Sequence, residues 1–198
     1  MKILSKERGE FLVKLARKTI ENFVQGKEIE ESLDMEWLKE KRGVFTTLET
    51  YPDNKLRGCV GIPYPIKPLK QSLIESAKDA TRDPRFPLLD KSELDKIIVE
   101  ISILTKPEKI NVKKPDEYMK KIEPKKDGLI IQYGIASGLF LPTVWKQITD
   151  KKDFLDNLCW KAGLPAGTWR SKKAILYRFG AQVFKEEKPN GNIIEVSE

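Results

Sequence analysis

Between Phe11 and Val24 the apolar residues Phe11, Leu12, Leu15, Ala16, Ile20, Phe23 and Val24 recur at the spacing of one helix face. Ser5 stands before this run as a side-chain cap, and Gly26 follows where a left-handed residue ends a helix. The pattern predicts a long amphipathic helix over 5–24, packed on a core. Residues 27–34 are acidic and read as a loop. The period then shortens. Val44-Phe45-Thr46-Thr47-Leu48 reads as a strand within 43–51, and Tyr51-Pro52-Asp53-Asn54-Lys55 is turn chemistry. Leu56–Ile62 is then the returning arm of a hairpin. Pro63, Pro65 and Pro68 break that arm, and the stripe Leu69, Leu73, Ala77 and Ala80 predicts a helix over 67–81. Pro84 and Pro87, within Arg82-Asp83-Pro84-Arg85-Phe86-Pro87, stop it.

Ser92 is placed to cap a short turn ahead of a strong strand, Ile97–Leu104. That strand alternates Ile97, Val99, Ile101 and Ile103 on one face with Ile98, Glu100, Ser102 and Leu104 on the other. Glu100 on an otherwise apolar face requires a partner. Residues 106–127 are highly charged, with one short helix around Tyr118 and Met119. Residues 128–133 and 139–141 read as a hairpin through Gly134 and Gly138. A helix starts at Asp150 or Asp153, buries Phe154, Leu155, Leu158, Cys159 and Ala162, and stops at Gly163 with Pro165 beyond. Residues 174–184 form one long strand, and Asn190-Gly191 is a turn signal. Hairpins with only occasional helices between them predict an α+β fold with a largely antiparallel sheet.

Composition narrows the chemistry. The 198 residues hold no histidine, which removes Ser-His-Asp and Cys-His pairs, histidine bases and the common zinc sites together. Cys59 and Cys159 form neither a disulfide framework nor a Cys-x-x-Cys motif, so a reducing, cytoplasmic setting is expected. No apolar run has membrane-spanning length, and the first residues lack a signal-peptide core. Abundant lysine and glutamate fit a thermophile's protein. The net charge of +7 is diluted by interleaved acids. Paired lysines such as Lys151-Lys152 and Lys172-Lys173 lack aromatic interleaving, so nucleic acid is a minor alternative. Neither a metal nor a cofactor is expected.

The stretch Leu56-Arg57-Gly58-Cys59-Val60-Gly61-Ile62 stands apart, because glycine inside a strand marks a bulge or a close backbone approach. In strict alternation Arg57 and Cys59 share a face, and a guanidinium beside a thiol favours the thiolate. From its reference value only about 3% of a thiol is ionised at pH 7. A nucleophilic or redox-sensing Cys59 and a packed, inert one both stay open, the latter with Arg57 paired to a carboxylate. Arg82 and Arg85 around Asp83 suit either an anion clamp or a helix-terminating turn in which Asp83 caps backbone amides. Glu100 suits a base or an ion pair with Arg57, Arg82 or Arg85. Cys159, Trp145, Trp160 and Trp169 read as core or rim.

Taken together these residues resemble the AMMECR family. Leu56 to Gly61 resembles its Leu-Arg-Gly-Cys-Ile-Gly signature, with Val60 in place of isoleucine. The likeness continues through Asp83-Pro84-Arg85-Phe86-Pro87, Val99 to Leu104, Asp127 to Ile131, Gly138 to Pro142 and Phe154 to Pro165, with Thr143 departing from a frequent glutamine. The resemblance implies one domain over 1–198 with two lobes, antiparallel sheets flanked by helices, and a cleft between them. The N- and C-terminal segments would make the larger lobe and the middle segment the smaller. It supplies no reaction. Memo-like and radical S-adenosylmethionine proteins, beside which relatives are encoded or to which they are fused, are the partners it implies. Two function classes follow. One is an enzyme or pathway component with a site at Arg57, Gly58, Cys59, Gly61, Asp83, Arg85 and Glu100, in which Cys59 and Glu100 are catalytic and the others bind ligand. The other is a non-catalytic adaptor or regulatory partner in which the motif is structural.

Overall fold

The computed structural model describes residues 4–28 and 34–196. Of the acidic loop expected over 27–34, residues 29–33 lie outside them. Helix α1 (Lys6–Val24) is capped by Ser5, whose hydroxyl accepts from the Arg8 amide, and is followed by Gly26 at φ +67°. Strands β1 (Val44–Thr50) and β2 (Leu56–Ile62) form the expected hairpin. Helix α2 (Leu69–Ala80) follows, then a 3-10 turn over 91–96 and strand β3 (Ile97–Leu104). That turn is capped by Asp90 rather than Ser92, in a capping box closed by Glu93. Strand β4 (Glu108–Lys109), helix α3 (Tyr118–Lys121), strands β5 (Gly128–Tyr133) and β6 (Ala136–Phe140), and helix α4 (Lys151–Lys161) come next. Strands β7 (Ile175–Phe179), β8 (Ala181–Glu186) and β9 (Ile193–Val196) complete the chain. The fold is α+β, with antiparallel sheets flanked by helices.

The chain divides into two compact units, one of residues 1–104 and 182–197, the other chiefly of 105–181. In the first, five strands run in the order β2-β1-β3-β8-β9. Leu12, Ala16 and Ile20 of α1 and Leu69, Leu73 and Ala77 of α2 pack with Val44, Leu48, Val99 and Ile101 in one core. Arg17 is buried in this unit, and each of its three guanidinium nitrogens has a partner. Its guanidinium pairs with Glu186 and donates to the Leu94 carbonyl at 2.9 Å and the Ile97 carbonyl at 2.8 Å. The Glu186 carboxylate also accepts from the Val99 amide at 2.9 Å.

In the second unit four strands run in the order β4-β7-β5-β6, and α4 packs Phe154, Leu155, Leu158 and Cys159 with Leu129, Ile131 and Leu176. Trp145 stacks on Phe154 at 3.7 Å, and Trp169 donates to Asp156 at 2.8 Å, whereas Trp160 is exposed. Gly134 makes the β5–β6 turn at φ +59°. Gly138 lies inside β6, where a Cβ would sit 2.9 Å from the Ala162 amide nitrogen. The single strand expected over 174–184 is two strands, broken at Gly180 and belonging to different sheets. The break has a local cause, since Gly180 exchanges hydrogen bonds with Thr105: amide to Thr105 hydroxyl at 2.8 Å, carbonyl from Thr105 amide at 2.9 Å.

Candidate functional site

Thr46 turns its hydroxyl onto Ser76 of α2 at 2.8 Å, so its neighbour Thr47 faces away from the helices. Thr47 pairs with Cys59 on one side and Glu100 on the other, which places the three in one rung across β2, β1 and β3. The Thr47 hydroxyl donates to the Cys59 sulfur at 3.3 Å. Cys59 is half-buried, and burial pushes its thiol up. Glu100 and Asp83 push in the same direction, while the Thr47 hydrogen bond and the Arg85 charge oppose them without prevailing.

The expectation that Arg57 lies beside the thiol and favours the thiolate is overturned. The β1–β2 register shifts between Leu48 and Glu49, with Leu48 opposite Gly58 and Glu49 opposite Leu56, so Arg57 falls at a bulge that breaks strict alternation. Its guanidinium makes a bidentate pair with Glu93, at 2.8 and 3.0 Å, and donates to the Leu88 carbonyl at 3.3 Å. Glu93 is oriented by accepting from the Asp90 amide at 2.9 Å, and the Arg57 bond holds its carboxyl below the usual range. The cation that acts on Cys59 is Arg85.

Arg82 and Arg85 do not form a joint clamp. Arg82 pairs with Asp79 at 2.7 Å and lies 5.6 Å over the Phe23 ring. Arg85 turns to Asp83, donating from Nε at 3.0 Å and Nη2 at 2.7 Å, and its Nη2 also reaches the Cys59 carbonyl at 3.3 Å. Asp83 is 2% exposed and accepts in addition from the Cys59 amide at 2.9 Å and the Arg85 amide at 3.1 Å. The Arg85 hydrogen bond, assisted by these amides, holds the Asp83 carboxyl well below the ordinary carboxylate range.

What fills the space at the two glycines is the protein itself. A Cβ on Gly58 would lie 2.2 Å from the Ala80 carbonyl oxygen, and one on Gly61 would lie 2.3 Å from the Phe45 ring. Thr47, Phe86 and Glu93 also belong to this neighbourhood, and residue type alone does not single them out. Phe86 lies 6.0 Å beneath the Arg57 guanidinium and 5.6 Å beneath that of Arg85. Two signals were available for the others: the hairpin register that sets Thr47 opposite Cys59, and the Asp-x-x-Glu spacing of the capping box at Asp90 and Glu93. Among the described residues no group of His, Cys, Asp and Glu is placed to hold a metal ion. Chemically, the site offers a protonated thiol with a hydroxyl donor, a half-buried carboxylate on the same rung, and a guanidinium already committed to a buried carboxylate.

Residues 13–184 match the AMMECR1 family model. Protein MJ0810 of Methanocaldococcus jannaschii is 50% identical over 197 residues, covering 98% of this chain and 98% of its own length. Protein MK0488 of Methanopyrus kandleri is 50% identical over 196 residues, 97% of this chain and 95% of that protein. The crystal structure of uncharacterized protein PH0010 from Pyrococcus horikoshii has a TM-score of 0.92 at 44% identity, over 98% of this chain and 99% of that one. No helix among the described residues is long and apolar enough to cross a membrane. Agreement that runs through the hairpin, the arginine turn and both units makes the chain a member of the AMMECR1 family.

Proposed function

We propose that the protein is a non-catalytic adaptor or regulatory partner in a cytoplasmic modification pathway, in which the motif Arg57 to Gly61 is structural. The observation that carries this reading is that Arg57 is committed to Glu93, while Arg85, the one cation that acts on the thiol, is already paired with Asp83 and does not offset the burial of Cys59. Memo-like and radical S-adenosylmethionine proteins are the candidate partners. The test is alkylation of Cys59 by iodoacetamide across pH, alongside capture of a candidate partner by wild type and Cys59→Ala. A thiol that reacts only well above neutral pH, with capture unchanged in the variant, supports the adaptor. A thiolate already formed at neutral pH, with protection by a small ligand, overturns it.

A second reading, a cysteine enzyme in which Glu100 is the base, rests on the rung Cys59–Thr47–Glu100. It requires the thiol proton to leave toward the carboxylate on substrate binding. A pH profile of alkylation that shifts downward when a substrate is added would favour it.

A further inference from the structure

Strand β2 is an edge strand, and an edge strand presents alternate amide and carbonyl groups to whatever lies alongside. Both outward groups of Cys59 are used, and side chains use them. The amide donates to Asp83 at 2.9 Å and the carbonyl accepts from Arg85 at 3.3 Å. This is the bonding a sixth strand would supply at that rung, one acceptor and one donor. The two side chains come from a loop that closes on itself, with the Leu89 amide donating to the Thr81 carbonyl at 2.9 Å. The loop is tied to β2 a second time, where Arg57 grips Glu93 and the Leu88 carbonyl. Gly58 permits the approach, because the end of α2 passes where its side chain would stand.

We propose that Asp83 and Arg85 form an edge lock, a side-chain pair that occupies one rung of β2 and keeps the sheet from adding a strand. The halves differ. Asp83 is buried and fixed, whereas the Arg85 side chain is 54% exposed, so Arg85 is the half that opens. An opened edge in a purified sample meets β2 of a second copy, and backbone pairing between the two edges follows. This role does not depend on whether Cys59 reacts.

The test compares wild type with Arg85→Ala by light scattering and by amide exchange over residues 57–61. The single variant is expected to double its weight-average mass relative to wild type, and the double variant Asp83→Ala/Arg85→Ala to exchange the Cys59 amide at least tenfold faster when dilute. Asp83→Ala combined with Arg85→Ala leaves no buried unpaired charge and opens both halves of the rung, so it decides the matter if the single variant does not fold. A folded variant with unchanged mass and exchange overturns the proposal. Loss of folding in both variants overturns it equally, since the pair would then hold the unit together rather than guard its edge.

Discussion

Around the Cys59 sulfur, burial and two carboxylates oppose ionisation, while one hydroxyl and one guanidinium favour it. The balance keeps the thiol neutral through the physiological range, so iodoacetamide reactivity should rise only above the ordinary thiol value. Thr47→Val removes a donor that stabilises the thiolate, and should push the reactive limb to higher pH still. A profile that moves down in that variant would contradict the assigned hydrogen bond. Asp83 works in the opposite sense. Its folded-state pKa lies below its unfolded value, so the stability it contributes is present at neutral pH. That contribution is lost as pH falls below the ordinary carboxylate range. Asp83→Asn should therefore flatten the acid limb of a denaturation profile and cost about 2 kcal/mol at neutral pH. Ser72 offers the reverse case, since its hydroxyl is buried in the core with no hydrogen-bond partner among the described residues. Ser72→Ala should be neutral or stabilise by up to about 1 kcal/mol in a urea titration.

At the scale of elements, the contact between the end of α2 and β2 is made backbone to backbone at Gly58. Gly58→Ala puts a methyl 2.2 Å from the Ala80 oxygen, so α2 must recede. The adjoining loop recedes with it, and Asp83 loses the Cys59 amide. The expected cost is about 1–3 kcal/mol from overpacking, with faster amide exchange at Cys59 as the sign that the loop has moved. Unchanged exchange would mean that the helix end shifts alone. The glycine pattern made the need for room legible, but not that the chain's own helix fills it, because residues 58 and 80 are related only through tertiary packing. Period and punctuation rendered β2 and β3 to the residue, since prolines and turn residues bound both. They failed over 174–184 because β-propensity continues through Gly180 while the hydrogen bonds of Thr105 interrupt the strand. They failed again at Arg57, because counting by twos assumes an unbroken register and the bulge at Leu48/Glu49 breaks it. Pairing with Glu93 rather than Glu100 follows from that one displaced residue.

For the whole molecule, the unit of residues 105–181 is an insertion whose two ends are hydrogen-bonded to each other, Thr105 to Gly180 at 2.9 Å. The remainder is completed by β8 and β9, the chain that resumes at Gln182, so the first unit depends on residues from both sides of the insertion. The Arg17–Glu186 pair is the clasp between those sides, with both side chains nearly inaccessible and every outlying bond made to β3 or the turn before it. Two results should follow. Replacing 105–181 with a short Gly/Ser linker joins ends that are already adjacent, and should leave the first unit folded with a cooperative denaturant transition. Within that shortened chain Arg17→Met strands a buried carboxylate, and should cost about 3–5 kcal/mol, as in the unshortened chain. Equal losses in the two backgrounds, measured by urea titration, would establish that the clasp belongs to the first unit alone. A shortened chain that does not fold would show that the first unit does not fold by itself.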